Sequence, residues 1–88
     1  MRKFNLPPMS DKAKSFYGKA IVIEKDNGEI ELQSYNTIVC KLTSGENRKL
    51  VRLWDGYSAT TMRHINAFLE YYGHKGKGKA WWDKLYVA

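Results

Sequence analysis

Leu53-Trp54-Asp55-Gly56-Tyr57-Ser58-Ala59-Thr60-Thr61-Met62-Arg63-His64-Ile65-Asn66-Ala67-Phe68-Leu69 decides how this chain folds. The segment starts as the end of a strand, turns, caps a helix and continues as that helix. Asp55-Gly56 is a turn signal, because glycine takes positive φ at no steric cost. Ser58 suits the N-cap, where its hydroxyl accepts from an otherwise unpaired N–H of the first turn. Apolar residues then recur at Met62, Ile65, Phe68, Leu69 and Tyr72, and spacings of three and four draw one stripe along a helix. Gly73 stands where a left-handed C′ residue ends a helix. The spacing predicts a helix over residues 59–72, with Thr60, Arg63, Asn66, Ala67 and Glu70 on its polar side. No other segment is long enough to cover a sheet as a helix, so the core is expected beneath this one.

The residues before it read as strands. Phe16 to Lys25 is the first, and Ala20-Ile21-Val22-Ile23 is apolar on both faces, as in a covered or central strand. Asp26-Asn27-Gly28 closes a hairpin, Asn-Gly being a strong hairpin signal between strand-like runs. Period two then holds over residues 30–42. Ile30, Leu32, Ser34, Asn36, Ile38, Cys40 and Leu42 share one face, and Glu31, Gln33, Tyr35, Thr37, Val39 and Lys41 share the other. Ser34 and Asn36 interrupt the apolar side, so the run is expected to bend or break near residues 34–36. Thr43-Ser44-Gly45-Glu46-Asn47 is a second turn cluster, and Arg48 to Trp54 a further strand with a partly exposed cationic face.

Residues 1–14 carry Pro7-Pro8 and no period, and are expected to form a flexible or surface-laid arm, weakly anchored by Phe4 and Leu6. Residues 15–88 form the single domain. Ala80 to Tyr86 is expected to add a short helical element whose aromatics pack back on the domain. Strands in a block before the helix indicate α+β: an antiparallel meander of three to four strands under one main helix.

The chain has 88 residues, 43% of them hydrophobic and 14% aromatic, which suffices for one small core. Lys and Arg number 15 against 9 acidic residues, a net charge of +6. Such an excess attracts polyanions and equally suits a basic protein that binds none. Cys40 is the only cysteine, so no internal disulfide can form, and its apolar neighbours Ile38 and Leu42 mark it as a small buried hydrophobe. The N-terminus lacks the apolar run of a signal peptide, and no window approaches a membrane span. A cytoplasmic location is expected.

Little in the sequence suggests catalysis or a cofactor. His64 and His74 have no helical metal-pair spacing, and Cys40 is remote from both, so no metal site is expected. Ser58 and His64, six apart on one helix, do not face each other, and no paired acid and base appears. His64 lies beside the apolar stripe, where a histidine hydrogen-bonded to the sheet or a loop is the plain structural reading. Lys75-Gly76-Lys77-Gly78-Lys79 lacks P-loop spacing. Three lysines on glycine hinges can instead follow a phosphate backbone without reading bases. Tyr71, Tyr72, Trp81 and Trp82 flank this loop, and aromatics among cations suit single-stranded nucleic acid, although both tryptophans equally suit the core. Arg48, Lys49 and Arg52 on the last strand, with Arg63 on the helix, complete the candidate basic footprint. The paired threonines of the helix start could hold an anion; plain capping, with Thr61 turned inward, is the simpler reading.

Leu32-Gln33-Ser34-Tyr35-Asn36-Thr37-Ile38-Val39 and the segment from Leu53 to Phe68 together resemble a small domain of unknown function associated with Gram-positive bacteria, their phages and plasmids. Its pattern is an SYxTxV strand, then a GYSxTTxxHIxxF segment and a tryptophan-bearing tail. The resemblance spans residues 15–86 and carries no known activity. It implies a phage or mobile-element accessory protein acting in the host cytoplasm. Ser34, Tyr35, Thr37, Tyr57, Ser58, Thr60, Thr61 and His64 match its recurrent positions and would form a polar cluster, a site or a buried network. The expectation for function is a non-enzymatic module that binds nucleic acid through its basic face and loop. The alternative is a protein-binding accessory factor or inhibitor of a host or defence protein. Monomer and homodimer both fit.

Overall fold

The computed structural model describes residues 1–7 and 16–88. Five antiparallel strands lie side by side in sequence order: β1 (Arg2–Asn5), β2 (Ala20–Glu24), β3 (Ile30–Ser34), β4 (Thr37–Leu42) and β5 (Leu50–Arg52). Helix α1 (Ala59–Tyr71) covers one face, and the short helix α2 (Lys79–Asp83) packs beside β5. The fold is α+β.

The register aligns Phe4, Val22, Leu32, Cys40 and Arg52 in one cross-strand row, and Glu24, Ile30, Leu42 and Leu50 in the next. Their apolar members meet Met62, Ile65, Phe68 and Leu69 of α1 in one core. Burying each such side chain stabilises by about 1.5–3 kcal/mol. The helix is held at both ends by local chemistry. Ser58, in an extended conformation, accepts from the Thr61 N–H through Oγ at 3.0 Å. At the other end Gly73 takes φ 84°; its N–H donates to the Glu70 carbonyl, and the His74 N–H donates to that of Leu69. This is the 6→1 and 5→2 pairing that closes helices on a left-handed glycine. Ala67, assigned to the polar side from spacing, is buried: its short side chain falls inside the core at the margin of the stripe.

Three parts of the sheet differ from the pattern expected. The first residues are a strand rather than a flexible arm. β2 is apolar on both faces and central, so its outer edge needs a partner, and Arg2 to Asn5 supply one. Leu6 is 1% exposed, and its N–H donates to the Ala20 carbonyl. Residues 8–14 of the expected arm lie outside the described residues. β2 itself begins at Ala20, because Phe16 to Lys19 form a turn closed on the Phe16 carbonyl, with Gly18 at φ 72°.

The long alternating run breaks at Tyr35-Asn36, a two-residue turn flanked by the pair Ser34 and Thr37. A register shift follows. Leu32 pairs with Cys40 and Gln33 with Ile38, so Val39 is an extra residue in β4. Val39 and Cys40 are therefore both buried, Ile38 moves to the outer face and Asn36 is exposed in the turn. Cys40 is fully enclosed, and desolvation pushes its thiol pKa well up.

Gly56 takes no positive φ. Its requirement is steric, since a Cβ there would lie 2.4 Å from the Trp54 indole. The outer sheet face carries the row Lys3, Ile23, Glu31, Lys41 and Val51 and the row Asn5, Ile21, Gln33 and Ile38. Ile21, Ile38 and Val51 are half-buried there. Lys41 reaches Glu29 at 2.8 Å, and this hydrogen bond is the first cause holding the Glu29 carboxyl below its ordinary pKa.

Candidate functional site

The helix stop at Gly73 turns the chain back against α1, where the Lys77 N–H reaches Asn66. His74 to Gly78 then run beside a cleft of about 430 Å³ lined by Leu50, Leu69, Gly73, His74, Lys75, Lys77 and Trp81. Leu50 comes from β5, Leu69 from α1 and Trp81 from α2. The loop is pinned rather than merely hinged. Asn66 Oδ1 accepts from the Lys77 N–H at 2.8 Å, and a Cβ on Gly76 would press on the Asn66 side chain at 3.2 Å. The lining carries lysines, a histidine and a tryptophan but no carboxylate. Lys75 and Lys77 are exposed, and neither joins an ion pair found among the described residues.

The other cations of the expected footprint have varied fates. Lys79 is exposed but tied to Asp83 at 2.5 Å and lies over the Tyr57 ring. The hydrogen bond to Asp83 is the first cause raising its pKa. Arg48 donates to the carbonyls of Gly28 and Thr43, joining two neighbouring turns. Lys49 and Arg63 are exposed. Arg52 is no part of a cationic surface: it is 6% exposed and structural. Its position in the inner row puts the guanidinium over the Trp82 ring, 4.5 Å from the centroid. It donates to the carbonyls of Trp54 and Trp82 at 2.7 Å each and of Gly56 at 3.3 Å. Three of its five N–H groups are spent on these carbonyls, and its burial keeps the guanidinium off the surface.

The polar residues of the motifs converge in part. Ser34 Oγ lies 2.8 Å from His64 Nδ1 and 2.9 Å from Thr61 Oγ1. Ser58 joins through the Thr61 N–H. The His64 ring is wholly buried, edge-on to Phe16, with Tyr35 5.7 Å away. Tyr35 holds φ 56°, an uncommon conformation for a bulky residue. Thr37 is exposed, Thr60 half-buried, and Tyr57 stands apart under Lys79. The serine that meets His64 is thus Ser34 of β3, a pairing across 30 residues without a local signal. The arrangement knots the helix start to the sheet, with Ser34, Thr61 and His64 all buried. Among the described residues no three His, Cys, Asp or Glu side chains gather as a metal site.

A family of unknown function matches residues 4–84. The chain belongs to that family, DUF8033. The DUF8033 match takes in the second half of β1 at one end and α2 at the other, so it includes the cleft, the buried knot and part of the edge strand that the motifs leave out. No curated protein and no solved structure matches the chain. Among the described residues no helix is long and apolar enough to cross a membrane.

Proposed function

We propose that this DUF8033 chain is a small non-enzymatic module that binds nucleic acid at the cleft beside residues 74–78. The carrying observation is the pinned loop, which holds two exposed lysines at a cleft without a carboxylate. Lysines so placed contact phosphates as point charges. The net charge of +6 adds long-range attraction for a polyanion. The motif pattern supports a phage or mobile-element accessory role in a host cytoplasm. Burial of the Ser34–His64 pair supports the non-enzymatic part of the reading.

A second reading, a protein-binding accessory factor or inhibitor, is favoured by the half-buried Ile21, Ile38 and Val51 on the outer sheet face. Oligonucleotide titrations at several salt concentrations separate the two. Each phosphate contact adds a log–log salt slope of roughly −0.7 to −0.9. Replacing Lys75 and Lys77 with Ala should flatten the slope by about 1.4 to 1.8 units, to the same extent for unrelated sequences. Absence of binding at low salt would remove the nucleic-acid reading. Full slope in the double variant would move the footprint to Lys49, Arg48 and Arg63.

A further inference from the structure

We infer that the cleft takes an unpaired base, stacked on Trp81, so that the ligand is a single-stranded segment. The inference rests on the nucleic-acid reading and specifies its substrate. The cleft has an amphipathic build: Leu50 and Leu69 give it apolar walls, Trp81 and His74 give it rings, and Lys75 and Lys77 stand on the loop. Its volume of about 430 Å³ lies in the range of small-ligand pockets, which run from about 300 to 1,000 Å³. A phosphate alone needs neither apolar walls nor an indole. A base needs both, because its faces are apolar and polarizable, and base–aromatic stacking tolerates any sequence.

Trp81 is positioned for this. Trp82 is fully buried, with its indole N–H committed to the Gly56 carbonyl at 2.8 Å, and serves the core. Trp81, beside it on α2, is only half-buried and turns to the cleft. Trp81 packs one side against the core and the Trp82 ring, and its remaining surface lines the cleft. Stacked bases of a duplex offer no free face to an indole, whereas a single strand offers one at each unpaired nucleotide. Lysines on the adjoining loop lie where the flanking phosphates of such a nucleotide would run. His74 adds a second ring of the kind on which unpaired bases stack.

The test uses the full chain with a mixed-sequence single strand and its duplex. Expected are tighter binding of the single strand at every salt concentration and quenching of tryptophan emission on binding. Trp81→Leu should weaken single-strand binding about tenfold without changing the salt slope, because stacking releases no counterions. Trp81→Phe guards against loss of folding: it keeps a stacking ring, so binding should persist while most of the quench disappears. Equal affinity for duplex, or unchanged quench in Trp81→Phe, overturns the inference and leaves the phosphate-binding reading standing. No binding of either form at low salt removes both.

Discussion

Arg52→Met tests whether the buried guanidinium is structural. Methionine keeps an unbranched apolar stem of similar reach and removes the charge and all three donated hydrogen bonds. The bond to the Trp82 carbonyl is buried, 2.7 Å long and charge-assisted. Such bonds contribute about 1.5–3 kcal/mol, and an orphaned buried carbonyl costs its desolvation. The bond to the Trp54 carbonyl is part-exposed, so water replaces it in part. The 3.3 Å bond to Gly56 matters least, since that carbonyl keeps the Trp82 indole N–H. Loss of the cation–π contact adds about 0.5–1 kcal/mol. Relief of a desolvated charge offsets part of this. The net expectation is a loss of about 3 kcal/mol, a large share of the total for a domain whose stability is of order 5–10 kcal/mol. Urea unfolding followed by circular dichroism measures it, with an unchanged m-value as the two-state control. Arg52→Lys should restore under half of the loss, because an ammonium cannot span a fan of three carbonyls. A loss below about 1 kcal/mol for Arg52→Met, or full rescue by Lys, would refute the structural role and return Arg52 to the binding surface.

Two further outcomes follow from single contacts. Gly56→Ala places a methyl 2.4 Å from the Trp54 ring and should cost about 1–3 kcal/mol by forced repacking, read as a fall in the urea midpoint; an unchanged midpoint means the indole swings away freely. Tyr72 donates to Glu24 Oε2 at 2.8 Å, and burial first, then this bond, raise its pKa above the ordinary phenol. The unfolded phenol ionises near pH 10 while the folded one stays protonated, so this contribution is full below about pH 10 and is lost as pH rises through the folded pKa. The stability gap between the wild type and Tyr72→Phe should narrow above about pH 10, and a constant gap would contradict the assignment.

What could be read in advance was whatever is written locally. Ser58, the three-and-four spacing and Gly73 act within a few residues of themselves, and α1 begins and ends as they indicate. The rest depends on partners remote in sequence. Arg2, Lys3 and Asn5 have no strand periodicity; the open edge of β2 makes them a strand. The extra residue at Val39 resets the alternation without a Gly or Pro to mark it. Arg52 sits in an exposed-looking run, and the carbonyl that fixes it most firmly lies 30 residues on. The lysine loop announced its charge, but its anchor Asn66 reads as an ordinary solvent-facing helix residue.

The sequence-ordered sheet also bears on how the molecule assembles in time. Strands β2 to β5 are joined through residues 25–29, 35–36 and 43–49, so each pairing closes a short loop at small entropic cost. Low contact order of this kind makes the meander quick to form. The junction of Arg52 with Trp82 closes a far longer loop, and the Val87 bridge beside β5 depends on the same approach of the chain tail. The cleft exists only once that junction is made, since Trp81 arrives with Trp82. Completion of the cleft therefore waits on a tail contact that the strand-to-strand pairing does not itself supply.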